Sequence, residues 1–118
     1  MKDKKNQINE LSLISKQIEF KGNLNGAGDL KIDGKIEGDV LLDGNLLLTE
    51  TGIIRGNIQT NNFQCNGTVE GNIIVKEKFT VGSKSKIKGD IKTKILIIEE
   101  GAEINGKCLA SKNNYEAE

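Results

Sequence analysis

Proline, histidine and tryptophan are absent from this 118-residue chain, and only 3% of its residues are aromatic. Without proline, every residue can give its backbone N–H to a hydrogen-bond ladder. With no histidine and no CxxC pair, the two cysteines, Cys65 and Cys108, cannot assemble a zinc shell. They read as reduced, buried or half-buried fillers of a cytosolic protein. With so few rings, the core must be built from Ile, Leu and Val, residues that favour strands. No apolar run reaches the ~18 residues of a membrane-spanning helix, and the N-terminus lacks the compact apolar stretch of a secretory signal. Neither sign of charge is in excess: Lys+Arg and Asp+Glu both number 17. The two signs alternate, which disfavours a nucleic-acid surface. The length is that of one domain.

What the chain has in plenty is glycine, and it is ordered. The phrase apolar-x-Gly-(Asn/Asp)-apolar occurs at Phe20–Leu24, Ile36–Val40, Ile54–Ile58, Val69–Ile73, Ile87–Ile91 and Ile104–Cys108, the last copy carrying Lys107 at the polar position. The glycines, Gly22, Gly38, Gly56, Gly71, Gly89 and Gly106, are spaced 16, 18, 15, 18 and 17 residues apart. A near-constant period of this length denotes a solenoid, whose coils bury their apolar side only by stacking on one another.

Three apolar columns follow from aligning the repeats on the glycine. Two residues before it come Phe20, Ile36, Ile54, Val69, Ile87 and Ile104; two after it come Leu24, Val40, Ile58, Ile73, Ile91 and Cys108. Eight before it come Ile14, Leu30, Leu48, Phe63, Val81 and Ile98. A six-residue beat runs through the same set, as in Leu30, Ile36, Leu42, Leu48 and Ile54, or Phe63, Val69, Val75, Val81 and Ile87. Three six-residue sides predict an all-β parallel β-helix of triangular cross-section, with about six windings, three parallel sheets, and a shortened corner between Gly56 and Gly71. Coils stacked at the ~4.8 Å strand spacing would make a rod roughly 25 to 30 Å long.

The exterior follows the same register. The residue before each glycine runs Lys21, Glu37, Arg55, Glu70, Lys88, Asn105, so stacked neighbours alternate in sign along most of the rod. Each such pair is worth only ~0.2 to 1 kcal/mol, and its effect is on register. The residue after the glycine, Asn23, Asp39, Asn57, Asn72 and Asp90, suits a corner because Asn and Asp bond to neighbouring amides. Asp39 and Asp90 are three coils apart in this column, so it makes no calcium site. Neither GKIEGD nor GTVEGN has the order of a phosphate-binding loop or opens a helix.

The repeated phrases, the segments Leu30–Val40 and Ile97–Gly106, and the short flanking tails resemble the bactofilins, the polymer-forming cytoskeletal family of bacteria. The resemblance covers about residues 14 to 110. It implies a right-handed β-helix whose subunits join end to end, like ends meeting, into nucleotide-independent filaments that organise cell shape, wall synthesis or protein localisation. The resemblance also implies an apolar contact in the last winding where family members often place phenylalanine and this chain has Ile104. From the residues themselves, no enzyme activity and no cofactor are expected.

A solenoid that stays monomeric needs polar end caps, and none is evident here. The expected polymerisation interface is Ile14, Phe20 and Leu24 at the N-terminal end, and Ile98, Ile104 and Cys108 at the C-terminal end. Residues 1–13 and 111–118 read as flexible tails around a 14–110 β-helix domain. The first contains Lys2, Lys4, Lys5, Ile8 and Leu11, a basic and apolar mix compatible with weak contact at the inner face of the cytoplasmic membrane. Expected partners are therefore other copies of the chain, with cell-wall or membrane-associated proteins beyond them, in the cytoplasm. Two other readings are a non-polymerising solenoid that recruits a partner protein through one face, and a relative of the hexapeptide-repeat acyltransferases. The latter generally use a histidine base, which this chain lacks, and no non-repeating loop is long enough to build a pocket.

Overall fold

A computed structural model describes residues 11–112. Among them are thirteen strands and no helix: β1 (Leu11–Ile14), β2 (Glu19–Lys21), β3 (Leu24–Ile32), β4 (Lys35–Glu37), β5 (Val40–Leu48), β6 (Ile53–Arg55), β7 (Ile58–Cys65), β8 (Thr68–Glu70), β9 (Ile73–Val81), β10 (Lys86–Lys88), β11 (Ile91–Ile98), β12 (Glu103–Asn105) and β13 (Cys108–Lys112). All pairings are parallel, each between equivalent strands of adjacent coils. The protein is a β-solenoid of about six turns. Strand β1 takes in Leu11 to Leu13, and β13 runs through Ser111 and Lys112, so regular structure extends past both expected domain limits. Lys2, Lys4, Lys5 and Ile8 lie outside the described residues.

Three walls enclose the core, but hydrogen bonding gathers them into two sheets instead of the three expected. The short strands form one sheet of six; the long strands form one sheet of seven. Each complete long strand supplies two walls because its ladder runs through or resumes directly after the corner between them, near Asp43–Asn45. The corner shows as a register irregularity between Leu42 and Asn45, Thr60 and Asn62, and Thr93 and Ile95. In β7 and β11, which have one residue fewer than β5 and β9, a buried threonine fills this corner. The Thr60 hydroxyl lies 3.0 Å from the Gly44 carbonyl oxygen and 3.3 Å from that of Asn62. Thr93 stands likewise 3.3 Å from the carbonyls of Glu77 and Ile95.

The irregular glycine spacing is the sum of two such choices. Coils differ by one residue at this corner, and by two at the corner between long and short strands. The latter is a four-residue turn closed by Ile18→Ser15, Gly52→Thr49, Ser85→Gly82 and Ala102→Glu99 N–H to carbonyl bonds, or the two-residue link Asp33–Gly34 or Asn66–Gly67. This corrects one expected column. Counting eight back from the glycine mixes two stacks, since the true neighbours are Ile14, Ile32, Leu48, Cys65, Val81 and Ile98 on one and Leu30, Leu46, Phe63, Phe79 and Leu96 on the other. In the second stack Phe63 and Phe79 lie ring on ring, centroids 4.8 Å apart. The two columns flanking the glycine are in register as expected.

The glycine column itself is a steric requirement. All six glycines have φ between 133° and 155°, and at each of the five after Gly22 a Cβ would strike the carbonyl oxygen of the glycine one coil earlier. Beside it, each polar side chain accepts a hydrogen bond from the next coil's backbone: Asn23 from Asp39, Asp39 from Asn57, Asn57 from Asn72, Asn72 from Asp90 and Asp90 from Lys107, at 2.9 to 3.1 Å.

Val69 is fully buried between Ile54 and Ile87 in the central coils. Val69→Asp should therefore cost about 4 kcal/mol or more, read as a large fall in melting temperature, while Glu70→Gln on the exterior should cost under ~1 kcal/mol. An unchanged melt for Val69→Asp would refute the column.

Candidate assembly surfaces

Among the described residues, every inward column begins and ends at a residue with a coil on one side only, and burial falls off accordingly. At the N-terminal end Ile14, Phe20 and Leu24 are half-buried, whereas Ile32, Ile36 and Val40, stacked on them, are sealed. At the C-terminal end Ile98 is 49% exposed, Ile104 half-buried and Cys108 exposed, against sealed Val81, Ile87 and Ile91. The six expected interface residues thus fall into two clusters, one on each terminal rung. Cys108 corrects the reading of both cysteines as fillers: Cys65 is core, but Cys108 has nothing stacked beyond it among the described residues.

Residues not foreseen also shape these ends. Ile18, half exposed, heads a corner column otherwise made of small residues, Gly34, Gly52, Gly67, Ser85 and Ala102. An apolar side chain at the head of a small-residue column was readable in the sequence once the corners were aligned. Leu96 and Ala102 pack partly onto the core at the other end. The strand edges are open as well. Strands β1 and β2 are the outermost at one end, β12 and β13 at the other, and each pairs on one side only among the described residues.

The electrostatics of the ends differ from those of the middle. Arg55 reaches Glu37 at 3.8 Å and Glu70 at 3.5 Å, and Lys35 reaches Glu37 at 3.2 Å and Glu19 at 3.8 Å. Lys35, hydrogen-bonded to it, holds the Glu37 carboxyl below its usual range. Toward the last coil both ladders change character, with Asn105 in the charge column and Lys107 in the Asn/Asp column. Lys107 donates its N–H to Asp90 but has no side-chain oxygen to pass the ladder on. Among the described residues, no three His, Cys, Asp or Glu side chains gather where a metal ion could sit. No described helix is long and apolar enough to cross a membrane.

The family model Bactofilin, described as polymer-forming cytoskeletal, matches residues 12–109, the span of the solenoid. The chain belongs to the bactofilin family. Among the bactofilins of Myxococcus xanthus (strain DK1622), it is 30% identical to BacO over 95 residues, covering 80% of this chain and 75% of BacO. It is 29% identical to BacP over 96 residues, 81% of this chain and 40% of BacP, and 42% identical to BacN over 50 residues, 42% of this chain and 44% of BacN. No solved structure matches the chain. As a bactofilin it falls in a structural, polymer-forming family, not an enzymatic one, and the family supports self-assembly.

The two thiols of this bactofilin report on core and end separately. Burial pushes the Cys65 thiol above its ordinary pKa, and at Cys108 burial and then the Asp90 carboxylate do the same. A thiol whose pKa is raised carries less thiolate near pH 8 than a free cysteine does. In dispersed native protein, one thiol per chain should react with Ellman's reagent, more slowly than free cysteine at pH 8 and with a rate still climbing above the ordinary thiol pKa. The second should react only on denaturation. Two fast thiols would place Cys65 outside the core.

Proposed function

We propose that this protein is a cytoplasmic scaffold that builds nucleotide-independent filaments by stacking β-solenoids end to end, organising cell shape, wall synthesis or the placement of other proteins. The observation that carries the reading is the loss of burial on both terminal rungs, where Ile14, Phe20 and Leu24 at one end and Ile98, Ile104 and Cys108 at the other extend columns that are sealed everywhere between. Apolar burial at ~25 cal/mol per Å² and pairing of open strand edges both favour a further coil, and neither consumes a nucleotide. Family membership supports the same conclusion at the level of polymer formation.

Like ends meet in this reading. At a head-to-tail junction the Asn/Asp ladder would have to pass from Lys107 to Asn23 of the next subunit, and Lys107 offers no acceptor. Joining like ends makes no such demand and yields a filament without polarity. At the inner face of the membrane, Lys2, Lys4, Lys5, Ile8 and Leu11 would supply weak contact, multiplied along the polymer.

Ile104→Arg should block growth at the C-terminal end while leaving the fold largely intact, because a terminal rung can tilt the charge into water as a middle rung cannot. Negative-stain micrographs should then show no filaments, and gel filtration a discrete dimer joined through the N-terminal coils. Long filaments from this variant would remove the last coil as an assembly surface. Wild-type protein that stays monomeric at high concentration would overturn the scaffold reading.

A further inference from the structure

Exposed aliphatics interrupt the polar exterior on two walls, at Leu13 and Ile97 on one and at Leu41, Ile74 and Leu109 on the other, and it is the second that sets them beside charges of both signs. The central outward column of this second wall runs Asn25, Leu41, Gln59, Ile74, Lys92, Leu109, in register from coil to coil, so an aliphatic side chain projects from every second coil. Leu41 is 46% exposed, Ile74 44% and Leu109 61%. The next outward positions follow the in-register residues Leu42, Thr60, Val75 and Thr93 and are Asp43, Asn61, Lys76 and Lys94. Asp43 accepts a hydrogen bond from Asn61 at 2.7 Å. The wall is therefore acidic beside Leu41 and basic beside Ile74 and Leu109. In its basic half a shallow depression of about 330 Å³ is lined by Ile74, Lys76, Lys92, Thr93, Lys94 and Leu109, among others.

We infer that this wall is a self-complementary lateral interface, on which a second copy of the chain docks antiparallel and side by side. A two-fold axis along the strand direction, between the third and fourth coils, leaves each column facing itself and reverses the coil order. Leu41 of each copy then lies over Lys92 of the other, in the depression between Ile74 and Leu109, and Asp43 faces Lys94 with Lys76 beside it. The corner carboxylates Asp39, Glu77 and Asp90 are exposed at the edges of this strip. Charge complementarity supports the antiparallel arrangement, since it sets Asp43 of each copy against Lys94 of the other. The strip is narrow compared with the ~1,000 Å² that a stable interface needs. A single pair is weak, and the contact gains strength where many copies lie side by side. The interface is distinct from the end-to-end contacts and does not rest on them.

Disulfide trapping tests it whether or not filaments form. In a Cys108→Ser background, Leu41→Cys combined with Lys92→Cys places two thiols three coils apart within a chain, roughly 14 Å, beyond disulfide reach, so any cross-link joins two chains. Mild oxidation should yield covalent dimers well above those of the control pair Gln64→Cys and Lys92→Cys, whose first cysteine lies on another wall. Added Asp43→Lys should cut the yield several-fold, Asp43→Lys with Lys94→Asp should restore it, and rising salt should lower it. A yield no higher than the control, or one indifferent to Asp43→Lys, would overturn the interface. So would absent cross-linking together with loss of pelleting on phosphatidylglycerol vesicles in Lys92→Glu/Lys94→Glu protein, which would make the wall a lipid surface instead.

Discussion

Each coil must approach the next closely enough for strand pairing at a corner where a side chain would intrude, and the rest of the rod depends on this contact. Glycine at positive φ, its carbonyl sitting where the next coil's Cβ would be, is what makes the approach possible. Once the corner is set, the short strand before it and the long strand after it are held in register. The neighbouring Asn or Asp then locks the corner by accepting the next coil's N–H. The aliphatic columns are continuous because this backbone contact is repeated, and they supply the burial that a single coil cannot obtain alone.

How much was legible in the sequence tracks distance from that glycine. Ile54, Val69 and Ile87, or Ile58, Ile73 and Ile91, lie two residues away and were placed in their columns without error. Eight residues back, the count crosses a corner of two or four residues, so Leu30 and Phe63 were assigned beside Leu48 and Val81 when they belong to the adjacent stack. Corner length is set by hydrogen bonds between coils, which a period measured along one chain averages away. The two-sheet arrangement was hidden for a related reason: whether a strand stops at a corner or bends through it depends on groups such as the Thr60 hydroxyl, which bonds to a carbonyl of the preceding coil.

The terminal rungs were foreseen because they need only the first and last members of each column. The lateral wall was not, although its signal was present in doublets such as Leu41-Leu42 and Ile73-Ile74. In a strand with inward and outward residues alternating, two consecutive aliphatics force one of them into solvent. Such pairs read as generous core until the register is known. The charge ladder is the reverse case, legible as a pattern along five coils yet, among the described residues, in contact within salt-bridge distance only around Arg55 and Lys35.

The two independent corner lengths also govern which insertions the chain tolerates. One residue can be gained or lost near Asp43–Asn45, and two between long and short strands, while every column stays aligned, because the coils already contain both versions of each. An insertion between Gly56 and Ile58, by contrast, would turn the following strand inside out. Length variation among solenoids built this way should therefore gather at two of the three corners. A whole coil, cut from one column glycine to the next, is the natural unit of duplication or excision, and each such event would change the rod by one strand spacing of ~4.8 Å.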